Sequence, residues 1–326
     1  MIKKIKLAGF KSYIDEDLSL YPLTILTGLN SSGKSSIIQA IRILDNAAHG
    51  EKNPLLDGYG DYGALNNPYV SSWGISVISD KEECIGYDSD GVYGEFKSFP
   101  NVIYVSAGRF GPKVSLTTHK DTELDELGEN VLKCLDENQN LIIPEALRHP
   151  NAEGDTLLYN VRAWLGTISP DVKFRWEIQK TSDSSFSLFD EHRANNVGFG
   201  LSYTLPVIVA LLLASTRDNS IVLLENPEAH LHPRGQVEIA SLVAKTVQAG
   251  VQVVVETHSD HFYDGIRIAV KESDTRLCDQ VVTYWFELDK QKNSQKEICM
   301  MDCNGRIATW PKGMFDQFEI NAFKLM

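Results

Sequence analysis

The sequence predicts an α/β fold with a mostly parallel central sheet, and three stretches carry that prediction. Residues 23–26 form an apolar, β-leaning run that passes through a Gly-rich turn into a helical pattern at Ile37, Ile38, Ala40, Ile41 and Leu44. Residues 221–224 are a continuous apolar run and residues 251–255 are apolar except for Gln252, as expected of strands covered on both faces. Each ends in a glutamate, Glu225 and Glu256, and each is followed by helical sequence. Buried strands alternating with helices pack as a sheet with helices on its faces. An antiparallel β layer and an inserted helical subdomain complete the expected architecture.

Taken in order, residues 5–10, 18–21 and 23–26 read as strands, with Lys11-Ser12-Tyr13 interrupting the first two. The helix after the Gly-rich turn runs to about residue 47. Residues 50–72, rich in Gly, Tyr, Asp and Asn, read as loop. Strands follow at 75–78 and 102–106, separated by the turn-rich Asp88-Ser89-Asp90-Gly91. Residues 123–135 and 156–165 read as helices, with the acidic run 121–129 as a solvated helix face. No heptad survives three repeats, so no long coiled coil is expected. Residues 172–178 and 186–189 read as strands of a small accessory layer. From residue 195 a Gly-containing segment opens an apolar helix, followed by the two buried strands, further strands and an aromatic tail. The expected division is residues 1–112, an inserted subdomain at 113–194, and residues 195–326.

Composition narrows the setting. The chain of 326 residues is 43% hydrophobic and 23% charged, ordinary for a globular protein. No apolar run reaches membrane-spanning length and the N-terminus lacks a signal-peptide core, so no membrane association and a cytoplasmic location are expected. Five scattered cysteines, an odd number, argue for reduced thiols. A formal net charge of −13 opposes broad, non-specific coating of nucleic acid, although a local basic strip is compatible with it.

The chemistry concentrates in Gly28-Leu29-Asn30-Ser31-Ser32-Gly33-Lys34-Ser35-Ser36, which fits G-x-x-x-x-G-K-[ST] with a strand before it and a helix after it. Glycines let the backbone wrap phosphate oxygens, successive N–H groups form an anion nest, and the helix N-terminus adds its positive end. Lys34 would reach the β/γ-phosphates and the Ser35 hydroxyl would ligate Mg²⁺. These residues imply nucleoside triphosphate binding. Glu225, at the carboxyl end of an apolar strand, stands where such proteins place a second Mg²⁺-holding acid. Gly198 and Gly200, flanking Phe199 ahead of a helix, form a second Gly-rich helix opening.

Phe10-Lys11-Ser12, the loop 28–36, Glu225-Asn226-Pro227-Glu228-Ala229-His230-Leu231-His232-Pro233 and Glu256-Thr257-His258-Ser259-Asp260-His261 together resemble compact bacterial ABC-type ATPases of the SMC/RecF/OLD-like group. The closing Trp310-Pro311-Lys312-Gly313-Met314-Phe315-Asp316 resembles their C-terminal segment. The resemblance covers both ends well and residues 113–190 poorly. It implies an ABC-type P-loop NTPase head that binds and hydrolyses ATP with Mg²⁺. Asn196, Gly198, Gly200 and Ser202 would belong to the signature motif, residues 230–233 to the D-loop region, and His258 would sense the γ-phosphate. Lys11 and Ser12 would lie near base and ribose, and Arg109 near the nucleotide edge. Heads of this group close as head-to-tail dimers around ATP, so a homodimer or higher oligomer is implied. They often sit beside nucleases in phage-defence and genome-maintenance operons. The resemblance therefore implies a separately encoded effector, a nuclease being the leading candidate.

One departure bears on hydrolysis. The position after the Walker B acid usually holds a second Glu that activates water, and here it is Asn226. An amide orients water but cannot take its proton, so turnover is expected to be slow unless Glu228 or Glu225 supplies the base. His258 completes the expected catalytic set. A Q-loop glutamine is missing; Gln39 lies within the first helix and reads as structural.

Other readings compete. His230, His232, His258, His261 and Asp260 offer zinc-type ligands, but the ATPase motifs already account for them. The aromatic tail reads as packing on its own core, with partner docking as the alternative. A DNA-repair or recombination head that grips DNA directly is the main functional alternative, disfavoured by net charge. A transporter nucleotide-binding subunit would need a more standard signature and catalytic Glu.

Overall fold

A computed structural model describes residues 1–326. The chain begins with strands β1 (Ile2–Ala8), β2 (Asp15–Ser19) and β3 (Leu23–Gly28), then helix α1 (Lys34–Ala48). Strands β4 (Gly74–Ser79), β5 (Cys84–Asp88), β6 (Gly91–Glu95), β7 (Asn101–Val105) and β8 (Leu116–Thr117) follow. Next come α2 (Val131–Asn138), α3 (Leu157–Ile168), β9 (Phe174–Gln179), β10 (Ser184–Phe189) and β11 (His192–Arg193). The last part holds α4 (Phe199–Ala214), β12 (Ser220–Glu225), α5 (Pro233–Gln248), β13 (Gln252–Glu256), α6 (Asp260–Glu272), β14 (Val281–Leu288), β15 (Ser294–Cys299) and α7 (Gln317–Leu325). These elements form an α/β P-loop head with parallel and antiparallel sheets, and no helix has the length of a coiled-coil arm.

The chain divides into two compact units. The first comprises Met1–Val102, Asp279–Asp302 and Arg306–Met326. Its antiparallel sheet runs β2-β1-β4-β5-β6, and α1 packs against β4 and β5. Alternation sends Ile5 and Leu7 of β1 to the core while Lys6 faces solvent, and a register irregularity between Ile2 and Lys4 lets Ile2 be buried as well. In the same unit β14 lies parallel to β3, from Val281 opposite Leu23 to Phe286 opposite Gly28, and β15 runs antiparallel to β14. All six residues of β3 are buried, Thr24 and Thr27 along with Leu23, Ile25 and Leu26, as in a strand covered on both faces.

The second unit comprises Ile103–Cys278 and Cys303–Gly305. Here β12 and β13 pair in parallel with Glu225 opposite Glu256, so both apolar runs deliver a carboxylate at the same level. β10 pairs with β9 and carries β8 and β11, forming the accessory layer. Helix α4 is buried continuously from Tyr203 to Ala214. A helix apolar on every side is stable only when enclosed, and α2, α3, α5 and β12 surround it.

Several expectations are corrected. The helix expected over 123–135 begins only at Val131. The acidic run before it is a loop wound around Asp125, whose carboxylate accepts from the backbone N–H groups of Leu127, Glu129 and Asn130. Such bonds offer the chain an alternative to helix. The turn at residues 88–91 joins a hairpin, β5 and β6, that the sequence reading passed over. Cys278 and Cys303 form a disulfide with Cα atoms 5.0 Å apart, against the expectation of reduced thiols throughout, while Cys84, Cys134 and Cys299 are free. The aromatic tail packs only in part: Pro311 and Met314 are buried and Phe315 is half-buried, but the helix beyond them is not. Phe318 and Phe323 of α7 are 78% and 82% exposed, and no residue of that helix is buried.

Candidate nucleotide-binding and hydrolysis residues

In the first unit β3 ends at Gly28 and the chain turns through Leu29, Asn30, Ser31, Ser32 and Gly33 into α1. Positive φ at Gly28 (140°), Ser31 (62°) and Gly33 (100°) winds the loop so that successive amides share one concave side. Glycine is required at both ends. A Cβ on Gly28 would stand 2.1 Å from the Phe286 carbonyl oxygen, and one on Gly33 would stand 2.3 Å from Ser294 Oγ and 2.9 Å from Ser12 Oγ. No side chain caps the α1 N-terminus and no acid lies in its first turn, so Lys34, Ser35 and Ser36 open a helix end suited to an anion.

The loop is braced from behind. Lys34 is buried and donates from Nζ to the carbonyls of Gly28 (3.2 Å) and Leu29 (2.7 Å). Ser294 Oγ donates to Ser32 O at 2.8 Å, so Ser12 Oγ, 2.6 Å from Ser294 Oγ, is the donor in that pair. Tyr13 OH donates to Gly33 O at 3.1 Å. Lys11, in the left-handed region, donates from Nζ to Gln39 Oε1 at 2.6 Å, which gives Gln39 its structural part. Lys11, Ser12 and the loop therefore belong to one cluster. The sequence reading missed Tyr13 and Ser294, and nothing in Ser294's neighbourhood marks it.

In the second unit the ends of β12 and β13 gather Glu225, Asn226, Glu228 and His258. Tyr104 OH (3.1 Å) and the Ala107 N–H (3.2 Å) donate to Glu225 Oε2. Asn226 takes φ 45°, a conformation that Asn tolerates better than most residues, and its N–H donates to Glu256 O at 2.8 Å. That turn carries Glu228 inward. Its Oε1 accepts from Thr257 Oγ1 (2.7 Å) and the His258 N–H (3.2 Å). Its Oε2 is buried without a partner, as is Asn226 Oδ1. Burial pushes the Glu228 carboxyl above its ordinary range, and the bond from Thr257 only partly offsets this. His258 Nε2 lies 3.7 Å from Glu256 Oε1.

Arg109 is buried rather than at an exposed edge. It stacks 3.9 Å over the Tyr203 ring and donates to the carbonyls of Ser106, Tyr203, Glu225 and Asn226. Tyr203 belongs to α4, so Arg109 ties the Gly-rich helix opening to the acidic strand end. Asn196 closes a short 3₁₀ turn, Gly198 caps α4, and Gly200 lies in its first turn, where a Cβ would press at 3.2 Å on both His230 O and Leu231 Cδ2. Ser202 Oγ is buried and unpartnered. His230, His232, His258 and His261 do not converge; the one group of metal-capable side chains is Cys278, Asp279 and Cys303, two of which are disulfide-bonded.

The residues fit a nucleotide phosphate on this chain's own geometry. The cradle at Gly28 and Gly33 excludes side chains and the helix end is uncapped. No helix is long and apolar enough to cross a membrane.

Comparison with known proteins agrees. The AAA ATPase domain family matches residues 1–143 and 117–263. A protein family of unknown function (DUF3696) matches residues 278–325. No curated protein matches the chain by sequence. Among solved structures, an SMC head bound to the C-winged helix domain of ScpA is similar with a TM-score of 0.57 at 14% identity, over 92% of this chain and 97% of that one. An Smc head with an extended coiled coil, bound to the C-terminal domain of ScpA derived from Pyrococcus furiosus, has a TM-score of 0.54 at 12% identity, over 100% of this chain and 99% of that one. The chain is a member of the AAA ATPase domain family, an ATPase with the P-loop head fold seen in SMC heads.

Proposed function

We propose that this ATPase is a slow nucleotide switch in which Glu228, not the residue after Glu225, accepts the proton of the attacking water. The observation that carries this reading is the Glu228 carboxylate, oriented through Oε1 by Thr257 and His258 and left with a buried, unpartnered Oε2. A base works best when its pKa approaches the working pH, and burial moves Glu228 that way. Asn226 can orient water but not deprotonate it. His258, which shares the Glu228 oxygen through its backbone N–H, is assigned the role of reporting the γ-phosphate. The loop 28–36 holds the triphosphate, with Lys34 as counter-charge. Lys11 and Ser12 are assigned to the base and ribose side. Ser35 and Glu225 would hold Mg²⁺, which when bound neutralises phosphate charge.

The switch acts, in this reading, through a head-to-tail homodimer in which Asn196, Gly198, Gly200 and Ser202 complete a partner's nucleotide site. Dimerisation is then a population shift set by the difference in nucleotide affinity between the open and closed forms. The likeness to SMC heads, two of them solved with ScpA domains, supports work in DNA-handling machinery through a protein partner. Control of a separately encoded nuclease in phage defence is the second reading, favoured by the net charge of −13, which opposes direct DNA coating. Co-purification of nucleic acid, or of a soluble effector, separates the two.

Glu228→Gln tests the base. Phosphate release should fall about 100-fold or more, while ATP binding and ATP-dependent assembly persist. Turnover within a few fold of wild type would return the role to Glu225. Because a raised pKa must be exceeded before the base is free, the wild-type rate should rise with pH, through a midpoint above the ordinary Glu value of about 4.3.

A further inference from the structure

A cavity of about 830 Å³ opens beside α3 in the second unit. Its size suits a small organic ligand and far exceeds a lone inorganic ion. Four cationic side chains line it, in a chain whose net charge is −13: Arg162 of α3, Lys173 and Arg175 around the start of β9, and Arg234 in the first turn of α5. Arg175 pairs with Glu191, which cancels both. The other three have no carboxylate partner. Arg162 commits only Nε, to Phe174 O at 3.2 Å, and the side chains of Lys173 and Arg234 make no hydrogen bond or ion pair. The remaining lining acids, Glu153 and Asp171, are exposed, as are Lys173 and Arg234, while Arg162 is half-buried, so the cations exceed the acids by one.

The wall behind these cations is rigid and neutral. Buried His149 accepts from the Asn151 N–H at Nδ1 (3.1 Å), so its proton sits on Nε2 and faces Thr167 Oγ1 at 2.8 Å. Thr167 Oγ1 in turn donates to Ala163 O at 3.2 Å. Burial and Lys245 also hold the His149 pKa below its usual value. The Tyr159 ring, 37% exposed, rests against Gly154 at the cavity wall.

We propose that this cavity binds a nucleoside phosphate, with Arg162, Lys173 and Arg234 holding the phosphate and Tyr159 stacking the base. Guanidinium groups present planar forks that match phosphate oxygens, lysine adds a point charge, and an aromatic face accepts any base. The ligand chemistry is shared by a free nucleotide and by the phosphorylated end of a strand. The site is distinct from the loop at residues 28–36, and its existence does not depend on how that loop's ATP is hydrolysed.

The test uses the full chain carrying Lys34→Ala, which weakens the first nucleotide site, titrated calorimetrically with AMP and with a 5′-phosphorylated thymidine hexamer. At least one probe should saturate, with affinity falling as salt rises. Adding Lys173→Gln and Arg234→Gln, whose side chains make no contacts that the fold needs, should weaken binding about tenfold or more. Equal binding of both probes identifies the free nucleotide as the source, and preference for the hexamer identifies a strand end. Neither probe saturating, or binding unchanged in the Gln variants, would overturn the proposal.

Discussion

Arg109 is a buried cation whose guanidinium meets four carbonyl oxygens, including those of Glu225 and Asn226. Burial lowers its pKa to about 10, so it remains charged near neutral pH. Hydrogen bonds from a charged group are worth about 1.5–3 kcal/mol, and a lysine cannot reproduce the fork that makes several at once. Arg109→Lys should therefore cost about 2–4 kcal/mol in urea unfolding and slow phosphate release, because the backbone carrying Glu225 and Asn226 loses its clamp. A variant within about 0.5 kcal/mol of wild type would place Arg109 among ordinary surface residues and remove that role. The resemblance singled out Arg109, but not its burial, since arginines are usually exposed. Asn226 was legible as a departure from the usual glutamate. What it accommodates, a left-handed backbone turn that buries Glu228, was not.

Helix α1 shows what an element adds to its residues. Its Asp45 is largely buried, with His49 Nδ1 3.2 Å from Oδ1, and desolvation raises its pKa to about 6 despite the histidine. The folded state thus holds that proton more tightly than the unfolded chain, whose ordinary value is 3.8. Stability should fall as pH rises between those two values, by roughly 3 kcal/mol in total. Asp45→Asn should flatten that slope and leave the protein about 1–2 kcal/mol more stable at pH 7, read from urea midpoints across pH; an unchanged slope would mean the carboxyl is hydrated. Elements dominated by apolar residues, such as β3, β12, β13 and α4, were legible because burial on all sides leaves one reading of the pattern. Residues 121–130 were misread as helix because the backbone bonds to Asp125 compete with helix without altering the composition. The hairpin β5–β6 escaped because its outer strand is mostly exposed and alternates weakly. The Cys278–Cys303 bond joins residues 25 apart that share no motif spacing.

At the scale of the whole molecule, the proposed switch needs two chains, and Gly198 offers a way to prevent that without harming one. It caps α4 with φ −62°, and nothing lies within 4 Å of where its Cβ would be. An aspartate therefore fits the single chain, and as a favoured N-cap it should stabilise α4 by a few tenths of a kcal/mol or more. In a head-to-tail dimer the same carboxylate would face the partner's triphosphate, and like charges forced together in an interface cost several kcal/mol. Gly198→Asp should bind ATP as one chain and unfold no earlier than wild type, yet show no mass doubling by light scattering with ATP–Mg²⁺. Gly198→Asn, similar in size and capping but neutral, should retain more of the doubling, so the contrast isolates charge from bulk. A wild-type protein that stays monomeric in ATP would remove the dimer itself. An Asp variant that doubles like wild type would instead move the phosphate-facing motif away from residues 196–202, leaving the loop at 28–36 and the Glu228 cluster to be explained within a single chain.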